Sequence, residues 1–306
     1  MTIDRVKGLS SHAFITYYLQ PNQPVIVTDA TAEWAALRHW SPDYLCEKFG
    51  NEKVQIYDDL FFLTKIRTLS DYVARYVSAP TKAAVGSTVP YVRWYSRQNA
   101  RSQLPWSDNV LDRLASDWNH PTFMPQTELL LPFDSANAPQ SPVRDKFPAR
   151  AIFLSAIGAR TRLHADPWAS DALLCQVHGE KRFLLFEPHQ TGTLTRDGKL
   201  IDIRYDVGSD AWKDLPEAPF VDDCLRPGEI ILIPAGWAHT FHSRTTSISL
   251  TWNFVHHANL PRFAAYLRSG VNESEAQSLA YFLDPSSRKG EDVASEQRMP
   301  SAAATK

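Results

Sequence analysis

From residue 151 to residue 257 the chain alternates short apolar runs with turn residues and leaves no room for long helices. Residues 151–157, 161–166, 172–177, 181–186, 230–233, 239–242 and 247–255 read as strands. Gly158, His178-Gly179-Glu180, Arg226-Pro227-Gly228 and Pro234-Ala235-Gly236 separate them as turns. Many short strands with regular turns predict a β sandwich or barrel, not a parallel sheet wrapped in helices. Between residues 190 and 220 the pattern lapses into a polar, irregular insertion.

The first half mixes two periods. Residues 24–28 are β-branched and bounded by polar residues, which predicts a buried strand, and residues 89–95 predict another. Ser41 followed by Pro42 marks a helix start, a side-chain cap and then a residue whose missing N–H costs nothing there. Leu69, Tyr72, Val73, Tyr76 and Val77 form one stripe of a helix over 68–77. Residues 100–150 are rich in Pro, Asn, Asp and Ser and predict loop, with a helical piece over 108–118. After His257 helices are expected over 261–268 and 274–282, and residues 285–306 lack apolar anchors and should be disordered.

Composition narrows the function classes. The chain has 306 residues, a net charge of −2 and a pI near 6.6. A nucleic-acid binder usually carries a basic excess, so none is expected as a partner. Cys46, Cys175 and Cys224 make neither a disulfide framework nor a Cys-x-x-Cys pair, which suits a reducing cytoplasm. No signal-like segment opens the chain and no apolar run approaches about 18 residues, so no membrane is expected.

One group of residues carries chemistry. His164-Ala165-Asp166 is followed 75 residues later (239 − 164) by His239. His164 and Asp166 are two apart, so an extended backbone turns both to one face. His239 follows the turn through Pro234 and Gly236, which lifts it to the start of the next strand. Two imidazoles and a carboxylate hold non-haem Fe(II) from one side and leave the other open. The same donors can hold catalytic zinc, and either histidine could instead be a hydrogen-bonded core residue. A bare His-x-Asp carries little in a chain with 10 histidines; the β turns around it carry more.

At this point the chain resembles the JmjC (cupin-like) family of Fe(II)- and 2-oxoglutarate-dependent oxygenases. The likeness lies in Thr161-Arg162-Leu163-His164-Ala165-Asp166-Pro167, in Gln176 to Phe183 with Phe186-Glu187-Pro188, and in Gly228-Glu229-Ile230 through His239 to Thr251-Trp252-Asn253-Phe254. Gln23-Pro24-Val25-Ile26-Val27, Trp34 and Trp40-Ser41-Pro42-Asp43-Tyr44 add to it, and it covers about residues 10–257. The resemblance implies a mainly β fold with flanking helices around a double-stranded β-helix (jelly-roll) core. It implies a catalytic domain over 1–257 with its core at about 151–257, C-terminal helices over 258–284 and a tail over 285–306.

It also implies roles. His164, Asp166 and His239 would bind Fe(II), with 2-oxoglutarate and O2 as co-substrates. Lys181 would pair with the distal carboxylate of 2-oxoglutarate. Thr161, Thr251, Asn253 and Tyr91 would line the same pocket. Thr161 conflicts with strand parity, because three residues separate it from His164 and only a bulge would bring both to one face. The family's polar Asn falls on Ala172 when counted from Lys181 and on Ser170 when counted from His164, so the loop after Asp166 should be longer here.

The implied activity is hydroxylation of a C–H bond in a protein side chain, an amino acid or a small metabolite. The absence of a zinc finger or basic tail argues against a histone demethylase. Two other classes stay open: a metal-binding cupin regulator without turnover, and a metal-dependent isomerase or hydrolase that does not use 2-oxoglutarate. Phe263, Leu267, Leu279 and Phe282 on the C-terminal helices either pack on the barrel or pair two copies of the chain.

Overall fold

The structure is a computed structural model and describes residues 1–78, 88–96, 105, 107–131 and 150–269. The first strands are β1 (Asp4–Val6), β2 (Val25–Val27), β3 (Lys53–Tyr57), β4 (Leu63–Thr68), β5 (Tyr91–Tyr95) and β6 (Leu129–Leu131). The core strands are β7 (Arg150–Ser155), β8 (Arg160–His164), β9 (Asp171–His178) and β10 (Lys181–Phe186). The insertion carries β11 (Thr195–Arg196), β12 (Lys199–Leu200), β13 (Arg204–Asp206) and β14 (Ala211–Lys213). The chain then adds β15 (Val221–Leu225), β16 (Ile230–Ile233), β17 (Ala238–Ser243) and β18 (Ser247–His256).

Two sheets result. The larger runs β1-β2-β16-β9-β18-β7-β5-β3-β4, with β6 joined to β18; the smaller runs β15-β10-β17-β8. Alternation decides which side chains meet between them. Ala172 and Leu174 of β9, with Ile231 and Ile233 of β16, pack against Phe183, Leu185 and Phe241 of the smaller sheet. The intervening residues Leu173, Cys175, Ile230 and Leu232 face outward onto the N-terminal helices, with Phe14, Trp34 and Phe49. This explains why β16 is apolar at every position: both of its faces are buried. A third cluster, around Leu184, Phe186, Leu194 and Ile203, seats the insertion on the outer face of the smaller sheet. The fold is therefore mainly β with a jelly-roll core and flanking helices.

The helices start where side chains can cap them. The Ser41 hydroxyl accepts from the Tyr44 N–H at 3.1 Å at the head of the helix Pro42–Phe49. Thr68 caps the helix Leu69–Tyr72, which widens into a π-helical turn, Val73–Ser78. The insertion is not irregular throughout, because β11–β12 and β13–β14 form two hairpins. The expected helix over 108–118 stops at Arg113. The hairpin β3–β4 escapes the sequence pattern because β4 is an edge strand, exposed from Thr64 to Arg67 and polar except for Ile66. The C-terminal helix Leu260–Arg268 packs against β18 and the turn after Asp166. The expected helix over 274–282 and tail over 285–306 lie outside the described residues. No described helix is long and apolar enough to cross a membrane.

Candidate metal centre

β8 and β17 are neighbours, and their register sets His164 directly opposite His239. β8 ends at His164, and Asp166 follows on extended backbone (φ −65, ψ 143), so the two-residue alternation persists past the strand. Asp166 and both imidazoles present ligand atoms that all lie within 4.8 Å of one another. Asp166 Oδ1 is 3.7 Å from His164 Nε2 and 3.9 Å from His239 Nε2.

The backbone fixes which ring nitrogen is free. His164 Nδ1 lies 2.8 Å from the Arg162 carbonyl, and His239 Nδ1 lies 2.9 Å from the Trp237 carbonyl. A carbonyl only accepts, so the proton is assigned to Nδ1 and each Nε2 lone pair is left facing Asp166. Burial, and then the neighbouring His239, holds His164 well below the usual histidine pKa and so keeps it neutral. Burial pushes the Asp166 carboxyl up, opposed by His239 and by its hydrogen bond from Asn253. Asn253 Nδ2 donates to Asp166 Oδ2 at 3.3 Å, which leaves Oδ1 to the imidazoles. Two buried imidazoles and a half-buried carboxylate converging without a cation are costly; a divalent metal fits them. The donor set suits Fe(II), and it suits zinc as well.

The co-substrate candidates converge nearby. Between His239 and Phe241 β17 advances two residues while β8 advances three, from His164 to Thr161. This is the bulge that parity required, and it turns Thr161 inward beside His164. The Thr240 hydroxyl donates to the Thr161 carbonyl at 2.7 Å and holds the bulge. Lys181, 1% exposed, opens β10 and its ammonium donates to the Tyr91 hydroxyl. None of the described carboxylates forms an ion pair with it. A lysine solvated at a hairpin turn is therefore not what the fold contains. Thr251 is buried on the inward face of β18, two residues before Asn253. Asn253 lies opposite Ala172 in the register, so the polar amide at this level of the barrel comes from β18 and not from β9. Ser170 is spent on its own turn, its hydroxyl donating to the Pro167 carbonyl.

Two residues were missed. Arg93 is fully buried on β5, on the same face as Tyr91, and alternation within Tyr91-Val92-Arg93-Trp94-Tyr95 was the available signal. Phe61, in the turn between β3 and β4, has a left-handed backbone (φ 65) and lays its ring 4.7 Å from that of His164. No sequence signal points to Phe61.

The sequence profile of the cupin-like domain family matches residues 11–259. The chain belongs to the JmjC cupin-like family. It is similar to the arginine-specific demethylase JMJ20 of Arabidopsis thaliana, 26% identical over 278 residues, covering 84% of this chain and 58% of the relative. It is similar to the 2-oxoglutarate and iron-dependent oxygenase JMJD4 of Gallus gallus, 25% identical, covering 87% of this chain and 63% of the relative. It is also 23% identical to the bifunctional arginine demethylase and lysyl-hydroxylase psr-1 of Caenorhabditis elegans, covering 85% and 62%. The cupin-like chain thus spans less than two thirds of the length of these curated relatives.

Proposed function

We propose that this cupin-like domain is an Fe(II)- and 2-oxoglutarate-dependent oxygenase that hydroxylates a C–H bond on an arginine or lysine side chain of a protein. The observation that carries the reading is the pairing of two features in one barrel. Three metal-binding atoms converge, and deeper in the same barrel lies a buried ammonium that no carboxylate among the described residues pairs with. A buried cation without a counter-charge needs an anionic ligand. Neither a non-catalytic cupin nor an isomerase or hydrolase has that need so clearly. The relatives' names support the substrate class, and demethylation begins with the same event, hydroxylation at an N-methyl carbon.

When bound, iron(II) supplies O2 activation coupled to the oxidative decarboxylation of 2-oxoglutarate to succinate and CO2, which hydroxylates the substrate C–H bond. The chain's part is placement. His164 and His239 offer Nε2, and Asp166 offers Oδ1, oriented by Asn253. Lys181 and Tyr91 offer donors to the distal carboxylate, with Thr161 and Thr251 along the wall. Leu174, Phe183 and Ile231, packed between the sheets alongside these polar residues, exclude water, which strengthens the polar contacts among them. Residues 1–257 would act as one catalytic unit, since β1 and β2 are built into the same sheet as the core strands.

The test is succinate release and a mass gain of one oxygen on arginine- and lysine-containing peptides, with Fe(II), 2-oxoglutarate and O2 supplied. His164→Ala, Asp166→Ala and His239→Ala should each lower turnover at least about a hundredfold and abolish metal binding. Turnover equal to wild type in any of the three would show that the site is misassigned.

A further inference from the structure

The barrel interior holds a second buried cation, and the roles assigned above do not use it. Arg93 has no exposed surface. Its Nη1 donates to the Asp58 carbonyl at 2.8 Å and its Nη2 to Thr161 Oγ1 at 3.2 Å, while its Nε is buried with no acceptor. None of the described carboxylates is its ion-pair partner. The Asp58 carboxylate accepts from the Leu60 and Phe62 N–H groups of its own turn. Asp59 is drawn to Arg160 at 2.7 Å, an ionic contact without good hydrogen-bond alignment.

Arg93 and Lys181 share one aromatic ring. The Arg93 guanidinium carbon is 4.7 Å from the Tyr91 centroid, and the Lys181 ammonium is 5.1 Å from it. Phe61 covers the guanidinium at 4.0 Å. Ring faces soften the loss of water but supply no counter-charge. Two like charges are therefore gathered in the buried interior, and among the described residues no carboxylate forms an ion pair with either. Arg93 also determines what Thr161 can do. With Nη2 donating into Oγ1, the hydroxyl proton must point away from the guanidinium. It is then available as a donor to a ligand.

We propose that Arg93 is a positioning residue that sets the Thr161 hydroxyl as a donor and adds a second positive charge, so that the pocket of Lys181, Tyr91 and Thr161 selects a doubly charged 2-oxo dicarboxylate over a singly charged 2-oxo acid. This rests on the 2-oxoglutarate reading. A residue that only supported the fold would affect both kinds of acid alike. Arg93 should affect only the one with a distal carboxylate.

The experiment is calorimetric titration of Mn(II)-loaded full-length protein, without O2, with 2-oxoglutarate and with 2-oxopentanoate, which keeps the chelating end and lacks the distal carboxylate. Wild type should prefer 2-oxoglutarate. Arg93→Gln should weaken 2-oxoglutarate by about tenfold to a hundredfold, the worth of a charge-assisted contact, and leave 2-oxopentanoate within about threefold. Arg93→Lys, which keeps the charge, should retain part of the preference and gives the answer if the Gln variant does not fold. The double variant with Thr161→Val should lose less than the product of the two single losses, because both act on one hydroxyl. Equal weakening of both acids, or none, in the folded variants overturns the role of Arg93. Wild type that takes up Mn(II) but does not distinguish the two acids overturns the 2-oxoglutarate reading and this inference with it.

Discussion

Asp166 divides its two oxygens between different tasks: Oδ1 faces the imidazoles, and Oδ2 accepts from Asn253. A carboxylate with one oxygen tied cannot rotate away from the ligand position. Asn253→Ala should therefore cost roughly tenfold to a hundredfold in metal affinity, read by Mn(II) or Co(II) titration, while the fold survives. Unchanged affinity would mean that Asn253 serves the pocket and not Asp166. The convergence of the three candidate ligand residues was legible because spacing of two and the Pro-x-Gly turn leave marks in sequence. The Thr161 bulge was legible only as a contradiction, since an extra residue in a strand has no chemical marker. Arg93 was hidden by its type: an arginine in a strand is normally read as solvent-facing. Phe61 depends on a turn shape that no local pattern requires.

Among elements, the turn ahead of His239 is tied to β9 and, through it, to the C-terminal helix. The Asp171 carboxylate, at the start of β9, accepts from the Ala235 N–H at 3.0 Å and from the Asn259 side chain, and Asn259 in turn accepts from Arg262 at 2.5 Å. This chain of bonds ties β9, the turn and the C-terminal helix together. Burial pushes the Asp171 carboxyl up to about 7 from an ordinary 3.8, against the pull of those hydrogen bonds. The folded state thus holds this proton more tightly than the unfolded chain. The protonated form's advantage is complete below about pH 4 and is lost as pH rises through 7, roughly 4 kcal/mol at full effect. Asp171→Asn should consequently show a smaller fall in melting temperature between pH 5 and 8 than wild type; parallel curves would remove Asp171 as the cause. The core strands were legible because burial of one or both faces writes itself in apolar residues. β3–β4 and the small hairpins were not, because edges and insertions satisfy the backbone without an apolar face.

For the molecule as a whole, three apolar clusters among the described residues hold two sheets, a layer of helices and the insertion, and the candidate metal-binding residues lie with Asn253 at one end of the barrel strands. A β sandwich or barrel followed from turn spacing, and the jelly-roll core from the family resemblance; the seating of the N-terminal strands in the same sheet did not, because pairing between distant segments leaves no local sign. One feature of that topology reaches beyond catalysis. β8, which carries His164, is the last strand of the smaller sheet, held along one side by β17. On its other side the Arg162 N–H donates to the Asp59 carbonyl at 2.9 Å. A bound metal would act as a clasp, fastening this margin to its neighbour through His239 and closing a loop of 75 residues (239 − 164). Adding Mn(II) should slow amide exchange in β8 and leave the interior strands β9 and β18 unchanged. A chelator should do the reverse, loosening an unguarded strand edge of the kind on which chains join to one another. Metal supply would then govern how long the protein lasts in the cell as well as how fast it works.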